Sequence, residues 1–213
     1  MSTKIAARLT AFLGDSAGVG FAHVTGPDGL WPDEAVAVAK AIPKRQAEFA
    51  AGRRAARDAL RNLGEGPVAL PVGPRRAPVW PEGIVGSISH DAGHAIAAVT
   101  RLDRARGLGI DLTEAAALPG ETRASILPHA EEQGFDPLQA RAGFSAKESL
   151  FKALFPLTET FFGFEAALVI PDLEAGRFTV QLTRSLGSFD KGTEWAGHVA
   201  VQDDLILTAL VVT

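Results

Sequence analysis

Two stretches decide how this chain folds and what chemistry it can carry: Gly107-Leu-Gly-Ile-Asp-Leu-Thr113 and, further along, Phe144-Ser-Ala-Lys-Glu-Ser-Leu-Phe-Lys-Ala-Leu154. The first is a short apolar run ending in polar residues, which predicts a strand with Asp111 at its end. The second predicts a helix. Phe144, Leu150, Phe151 and Leu154 can serve its core, whereas Glu148 and Lys152, four residues apart, project together from one side. One carboxylate from a strand and one from a helix can jointly hold a hard divalent cation, and Lys147 and Lys152 bring positive charge beside them. A phosphoryl-type reaction needs this set of groups, and a phosphorylated substrate would supply the remaining ligands.

Each half also has an ordinary explanation. An Asp after a strand often caps or turns the chain. Ser145-Ala-Lys-Glu148 fits a capping box, with Ser145 capping a helix and Glu148 reaching back. Glu148 and Lys152 could also form a plain salt bridge, worth only about a few tenths of a kcal/mol. A capping box, however, predicts neither Lys152 nor an upstream Gly-x-Asp, so the ordered pair favours the chemical explanation.

Composition narrows the field. The chain has 213 residues and 46% hydrophobic content, enough to bury a good core as one domain or two small halves. It has no Cys, which removes disulfides, thiolate metal sites and cysteine catalysis and fits a reducing compartment. Residues 1–13 lack an apolar signal region, and no apolar run approaches membrane-spanning length, so a soluble cytoplasmic protein with no membrane contact is expected. A net charge of -4 argues against nucleic acid as a partner.

Charge is unevenly spread, however. Residues 43–63 carry six basic side chains against two acidic ones, a local net charge of +4 that suits a small polyanion. Pro43 suits the first turn of a helix, Phe49, Ala56, Leu60 and Leu63 recur on a core face, and Gly64 marks a stop. Arg45, Arg53 and Arg57 step by multiples of four and share a side, which on its own is a solvated face as readily as a binding face. Downstream, Gly73-Pro-Arg-Arg-Ala-Pro-Val-Trp-Pro81 predicts a rigid loop that presents Arg75 and Arg76 with little ordering entropy, a good phosphate clamp. Residues 84–90 and 94–100 then read as a hairpin turning at Asp91-Ala-Gly93. A lone His90 near a strand end is by itself more often a turn or surface residue than a ligand. None of the five histidines belongs to a spaced zinc cluster.

Toward the C-terminus, residues 166–170, 178–183, 195–201 and 205–212 predict strands, with Asp203-Asp204 turning the last hairpin; the architecture is α+β. Two halves joined near residues 103–106 are plausible. Pro119, Pro128 and Pro137 should break residues 118–142 into short helical pieces, whose Ile126, Leu127, Phe135 and Leu138 either face a partner or pack on their own domain.

The ordered pair resembles the signature of the 4'-phosphopantetheinyl transferases, specifically the larger monomeric type. Gly109, Ile110 and Asp111 match its Gly-x-Asp, and Phe144, Ser145, Lys147, Glu148, Ser149 and Lys152 match its second motif. The resemblance implies a pseudo-twofold pair of similar α/β subdomains, residues 1–103 with coenzyme A 3'-phosphate and nucleotide contacts and residues 104–213 with the metal and catalytic motif, the active site lying between them. It further implies a monomer that moves the phosphopantetheine arm of coenzyme A onto a serine of an apo carrier protein, releasing 3',5'-ADP, for siderophore or other secondary-metabolite synthesis. Asp111 and Glu148 would hold Mg2+, with Glu148 as general base and Lys152 at the coenzyme A phosphate or leaving group. Arg45, Arg53, Arg75, Arg76, Ser89, His90, Lys147 and Lys152 would contact coenzyme A, and the segment between the motifs would dock the carrier. Thr113 departs from the pattern, because many members carry a second acid there; a hydroxyl can hold a water but not supply the charge, unless Glu114 compensates. The competing class is a non-catalytic coenzyme A or nucleotide-binding module. The hydrolase alternative is poor, since Gly-Ser-Ile-Ser-His lacks the Gly-x-Ser-x-Gly elbow.

Overall fold

A computed structural model of the chain describes residues 2–213. The chain divides into two compact units, Met1–Ala105 and Arg106–Thr213, each an antiparallel sheet packed by one long helix.

In the first unit the elements run α1 (Ser2–Leu13), β1 (Ala17–His23), α2 (Pro32–Ala35), α3 (Pro43–Asn62), β2 (Ile84–Asp91) and β3 (His94–Arg101). The sheet has the order β1-β3-β2, and His94 pairs with both His23 and Asp91 across its neighbours. Helix α3 starts as its sequence predicts, with Pro43 in the first turn. It stops in a Schellman arrangement: Gly64 takes φ +88, its N–H reaches the Arg61 carbonyl at 3.0 Å, and the Glu65 N–H reaches that of Leu60 at 2.9 Å. Phe49, Ala56 and Leu60 are buried as expected, but the larger part of the contact is made by small residues, Ala51, Ala55 and Ala59.

Those alanines meet glycines. A Cβ on Gly18 or Gly20 of β1 would overlap the carbonyl oxygens of Ala59 or Ala55, so the helix backbone rests almost directly on the strand. Sequence reasoning assigned no element to residues 17–23, because the run Ala-Gly-Val-Gly-Phe has poor strand propensity and earns its place only through this close packing.

The second unit runs β4 (Gly107–Glu114), α4 (Gly120–Ile126), α5 (Pro137–Thr158), β5 (Ala167–Asp172), β6 (Arg177–Leu182), β7 (Glu194–Gln202) and β8 (Leu205–Val212). All strands are antiparallel in the order β4-β8-β7-β6-β5, which brings the first strand beside the last and sets Asp111 opposite Thr208. The four C-terminal strands fall within a few residues of their expected places, and Asp203 and Asp204 make the β7–β8 turn with positive φ. Leu150, Leu154, Phe178, Val180, Ile206 and Leu210 lie in the core between helix and sheet.

Helix α5 begins well before Ser145: the capping box is Asp136 with Gln139, whose N–H groups and side chains satisfy one another at 2.8–3.0 Å, with Pro137 in the first turn. Ser145 is therefore an interior helix residue at 0% exposure, and its pattern with Glu148 has nothing to do with a helix start. Between the motifs, Ile126 and Leu127 are buried with Phe135, Phe144 and Phe164 against them, while Leu138 packs on the main core. All four side chains pack within their own unit, Phe135 and Leu138 only partly buried.

Each unit also holds one buried carboxylate in the same kind of setting. Glu34, fully buried, accepts from the N–H of Trp31 three residues back and from that of Leu70, and pairs with Arg57 of α3 at 2.6 Å. Glu132, equally buried, accepts from the N–H of His129 three residues back and from that of Val169, and pairs with Lys147 of α5 at 2.8 Å. Two N–H donors and a cation satisfy each carboxylate, which is what a buried charge requires. Among the described residues, no helix is long and apolar enough to cross a membrane.

Candidate active site

The geometry of the second unit starts from Gly109. A side chain there would overlap the Ser149 carbonyl of α5, so its absence lets the helix lie against β4. Asp111, two residues along on the same face, then meets the helix directly. Lys152 donates to its Oδ1 at 2.7 Å and to the Ile110 carbonyl at 3.0 Å. Ser145 donates to its Oδ2 at 2.9 Å. The Gly-x-Asp spacing thus has a mechanical cause: the glycine permits the approach that the aspartate uses.

Glu148 stands one helical turn before Lys152 and belongs to the same charge cluster. Burial pushes its carboxyl above the usual glutamate range, the nearby Asp111 carboxylate pushes it further, and Lys152 opposes them. Asp111, far from Glu148 in sequence, is thus close enough in the fold to act on it. Glu148 also lines a cavity of about 220 Å³, whose wall is otherwise mostly Phe151, Phe161, Phe162, Phe164 and Leu150. Phe151 anchors this aromatic group, its ring centroid 5.1–5.5 Å from those of Phe155, Phe161 and Phe162.

Lys147 contributes to the cavity wall, but its ammonium points elsewhere. It is 3% exposed, with Nζ held by Glu132 and by the Phe164 carbonyl at 3.0 Å. Burial lowers its pKa, and Glu132 and then Glu165 work against that. The ammonium expected at coenzyme A is engaged here in an internal ion pair.

Thr113 is buried on the same face as Asp111, so a hydroxyl stands where the resembled pattern would have a second acid. Glu114 is on the opposite pleat at the exposed end of the strand and is not turned toward Asp111. Among the described residues no group of three or more His, Asp or Glu is placed to hold a metal ion. The donor set is two hard carboxylates, which fits a Mg2+-like ion that keeps waters and takes substrate phosphate oxygens as its other ligands.

In the first unit, Arg45, Glu48, Arg53 and His90 form a second cluster. An Arg45 N–H lies 2.8 Å from His90 Nε2. A guanidinium has only donors, so Nε2 is the acceptor and the ring proton sits on Nδ1, facing Glu48 at 3.9 Å. Arg53 is largely buried, stacks its guanidinium 4.2 Å over the Phe49 ring and donates Nε to the Leu70 carbonyl at 2.7 Å. Burial pulls its pKa down to about 10, against the pull of Glu34 and with help from Arg57 and Arg45, so it stays a cation at neutral pH. Ser89 is buried and, as the neighbour of His90 on β2, turns to the opposite face of the strand. Arg75 and Arg76 occupy the exposed tip of a loop closed by Gly73–Ala77 and Pro71–Val79 backbone bonds; both have positive φ, a strained conformation that the closure holds in place.

Sequence reasoning missed Thr208, Ser149 as a polar partner, Glu34 and Glu132. Nothing in their local sequence marks them, since each acquires its role from a contact distant along the chain.

Comparison with known proteins identifies the family. Residues 33–100 match the 4'-phosphopantetheinyl transferase N-terminal domain, and residues 107–209 match the 4'-phosphopantetheinyl transferase superfamily. The chain is 40% identical to the 4'-phosphopantetheinyl transferase Svp of Streptomyces mobaraensis over 86% of its own length and 78% of the relative's. It is 36% identical to Npt, a 4'-phosphopantetheinyl transferase of Nocardia iowensis, over 84% of its length and 87% of the relative's. Enterobactin synthase component D of Salmonella typhi matches at 37% over 67% of this chain and 62% of that protein. The chain belongs to the 4'-phosphopantetheinyl transferase family, and its α+β fold is that of a transferase enzyme of this class.

Proposed function

We propose that this enzyme uses Asp111, Glu148 and Lys152 to transfer the 4'-phosphopantetheine of coenzyme A to a serine of an apo carrier protein. The observation that supports this most is the gathering of two carboxylates and one ammonium in one cluster, of which Glu148 also lines a cavity walled by aromatic rings. Mg2+ held by Asp111 and Glu148 would neutralise charge on the pyrophosphate. The carrier serine Oγ bonds to the phosphorus that bears the pantetheine arm, its proton passes to Glu148, and the bond to the other phosphate breaks with its electron pair leaving on 3',5'-ADP. Lys152 shifts part of its bonding from Asp111 to the oxygens of the leaving group. The apolar wall next to Glu148 suits the dimethyl-bearing part of the pantetheine arm. The kinship with an enterobactin synthase component supports a siderophore or related secondary metabolite as the pathway served.

Incubation with coenzyme A, Mg2+ and several apo carrier proteins should add the mass of phosphopantetheine to at least one carrier. Intact coenzyme A binding with no transfer to any carrier would instead make the chain a binding module.

Arg45 and His90 are the proposed 3'-phosphate contacts, because both lie partly exposed and their mutual bond can be exchanged for bonds to an anion. Arg45→Ala should raise the KM for coenzyme A by ~10-fold or more, the worth of one charge-assisted hydrogen bond. With 3'-dephospho-coenzyme A the same substitution should change KM little. An equal effect on both substrates would remove Arg45 from the 3'-phosphate.

A further inference from the structure

Three buried hydroxyls stand in line behind Asp111. Ser145 Oγ is 2.9 Å from Asp111 Oδ2 and 2.9 Å from Thr208 Oγ1, and Thr208 Oγ1 is 2.7 Å from Ser149 Oγ. All three residues are at 0% exposure. Two come from successive turns of α5 and the third from β8, where Thr208 faces Asp111 in the strand register.

Proton counting orients the whole chain. Each hydroxyl has one proton, and the carboxylate accepts. Ser145 spends its proton on Asp111 Oδ2, so Thr208 must donate to Ser145. Thr208 has then spent its own, so Ser149 must donate to Thr208. The Thr208 carbonyl, 3.3 Å from the Ser149 hydroxyl, competes for that one proton, but Thr208 Oγ1 at 2.7 Å is the nearer acceptor. All three O–H dipoles point toward one carboxylate oxygen, and such aligned bonds polarise and strengthen one another in a dry interior.

The other oxygen, Oδ1, is shared with Lys152 at 2.7 Å. With Oδ2 fastened from behind, turning the carboxylate plane to offer both oxygens to one ion would weaken the Ser145 bond. We propose that Thr208, with Ser149 and Ser145, is a positioning device that makes Asp111 a one-oxygen ligand through Oδ1. This rests on the proposal that Asp111 holds the metal ion. Simple satisfaction of a buried acid would need only Ser145; the further hydroxyls, in a layer where apolar side chains would pack at lower desolvation cost, are explained by the need to hold Ser145 in one rotamer.

The test is a calorimetric titration of Mn2+ into the full chain saturated with coenzyme A and free of carrier, so that no turnover occurs, paired with the Mg2+ dependence of transfer. Thr208→Val keeps the side-chain outline and removes the link. It should weaken Mn2+ binding by ~10-fold, the usual scale for loss of a ligand's supporting hydrogen bond. The Mg2+ concentration for half-maximal transfer should rise by a similar factor, with KM for coenzyme A unchanged, and Thr208→Ser should restore most of both. If Thr208→Val does not fold, Ser145→Ala carries the same expectation. Wild-type Mn2+ affinity in the folded variants, with Asp111→Asn losing it, would overturn the positioning role alone. Wild-type affinity in Asp111→Asn as well would overturn the metal role of Asp111 from which it starts.

Discussion

Glu148→Gln is expected to lower the turnover of phosphopantetheine transfer by ~10²–10⁴-fold, the contribution of a positioned general base. The amide keeps the shape of the side chain but cannot take the serine proton. Coenzyme A should still bind through Arg45 and His90, so its KM should move far less than kcat. Stability should change in the opposite direction to activity. Burial, reinforced by Asp111 and opposed by Lys152, raises the folded-state pKa of Glu148 above its unfolded value. A carboxyl raised in this way destabilises the folded chain at pH values above its unfolded pKa, where ionisation is resisted only in the folded state. Without divalent ions, Glu148→Gln should therefore have a higher Tm than wild type near neutral pH. The gap should close as pH falls below the ordinary glutamate value of about 4.3, where both states are protonated. Unchanged turnover would take Glu148 out of the mechanism, and a lower Tm at neutral pH would show that its charge is stabilised in the fold.

The contrast between the two ends of the chain shows what sequence pattern can reveal here. Strands β5 to β8 carry their own signal: residues 178–182 alternate Phe178, Val180 and Leu182 inward with Thr179 and Gln181 outward, a period that needs no partner to be recognised. Strand β1 has no such signal, because Gly18 and Gly20 are defined by what lies on top of them. The same cause appears at Gly107 and Gly109 under α5. A Gly-x-Gly in a strand paired with an Ala- or Ser-rich helix was thus the available clue to the similar construction of the two units.

The candidate site divides along the same line. Asp111, Glu148 and Lys152 were legible because a reaction demands charged groups of particular types at separations that a strand and a helix can bridge. Thr208 was not, since a threonine inside the apolar run Leu-Ile-Leu-Thr-Ala-Leu has the composition of an ordinary strand residue. Arg57 and Lys147 show the converse limit. Each sits in a basic or catalytic motif, yet each is committed to a carboxylate that joins it from elsewhere in its own unit, Glu34 and Glu132. A charge pattern along the chain cannot distinguish a cation facing a substrate from one facing a buried acid.

Lys147 provides the test of that distinction. Lys147→Met is expected to destabilise the chain by ~3–5 kcal/mol, because it leaves Glu132 buried without its cation. The two N–H groups of His129 and Val169 would still bond to Glu132, but they lie 3.1–3.2 Å away and carry no net charge. Adding Glu132→Gln should recover part of the loss, since a neutral amide can keep one N–H bond without an uncompensated charge. Thermal or urea unfolding of Lys147→Met, Glu132→Gln and the double variant measures these effects, and the non-additivity between the sites should be at least ~1 kcal/mol. At a temperature where the single variant is folded, its KM for coenzyme A should stay close to wild type. A large rise in that KM with little loss of stability would mean instead that Lys147 leaves Glu132 to meet the substrate. That outcome would return Lys147 to the binding role its motif position suggests.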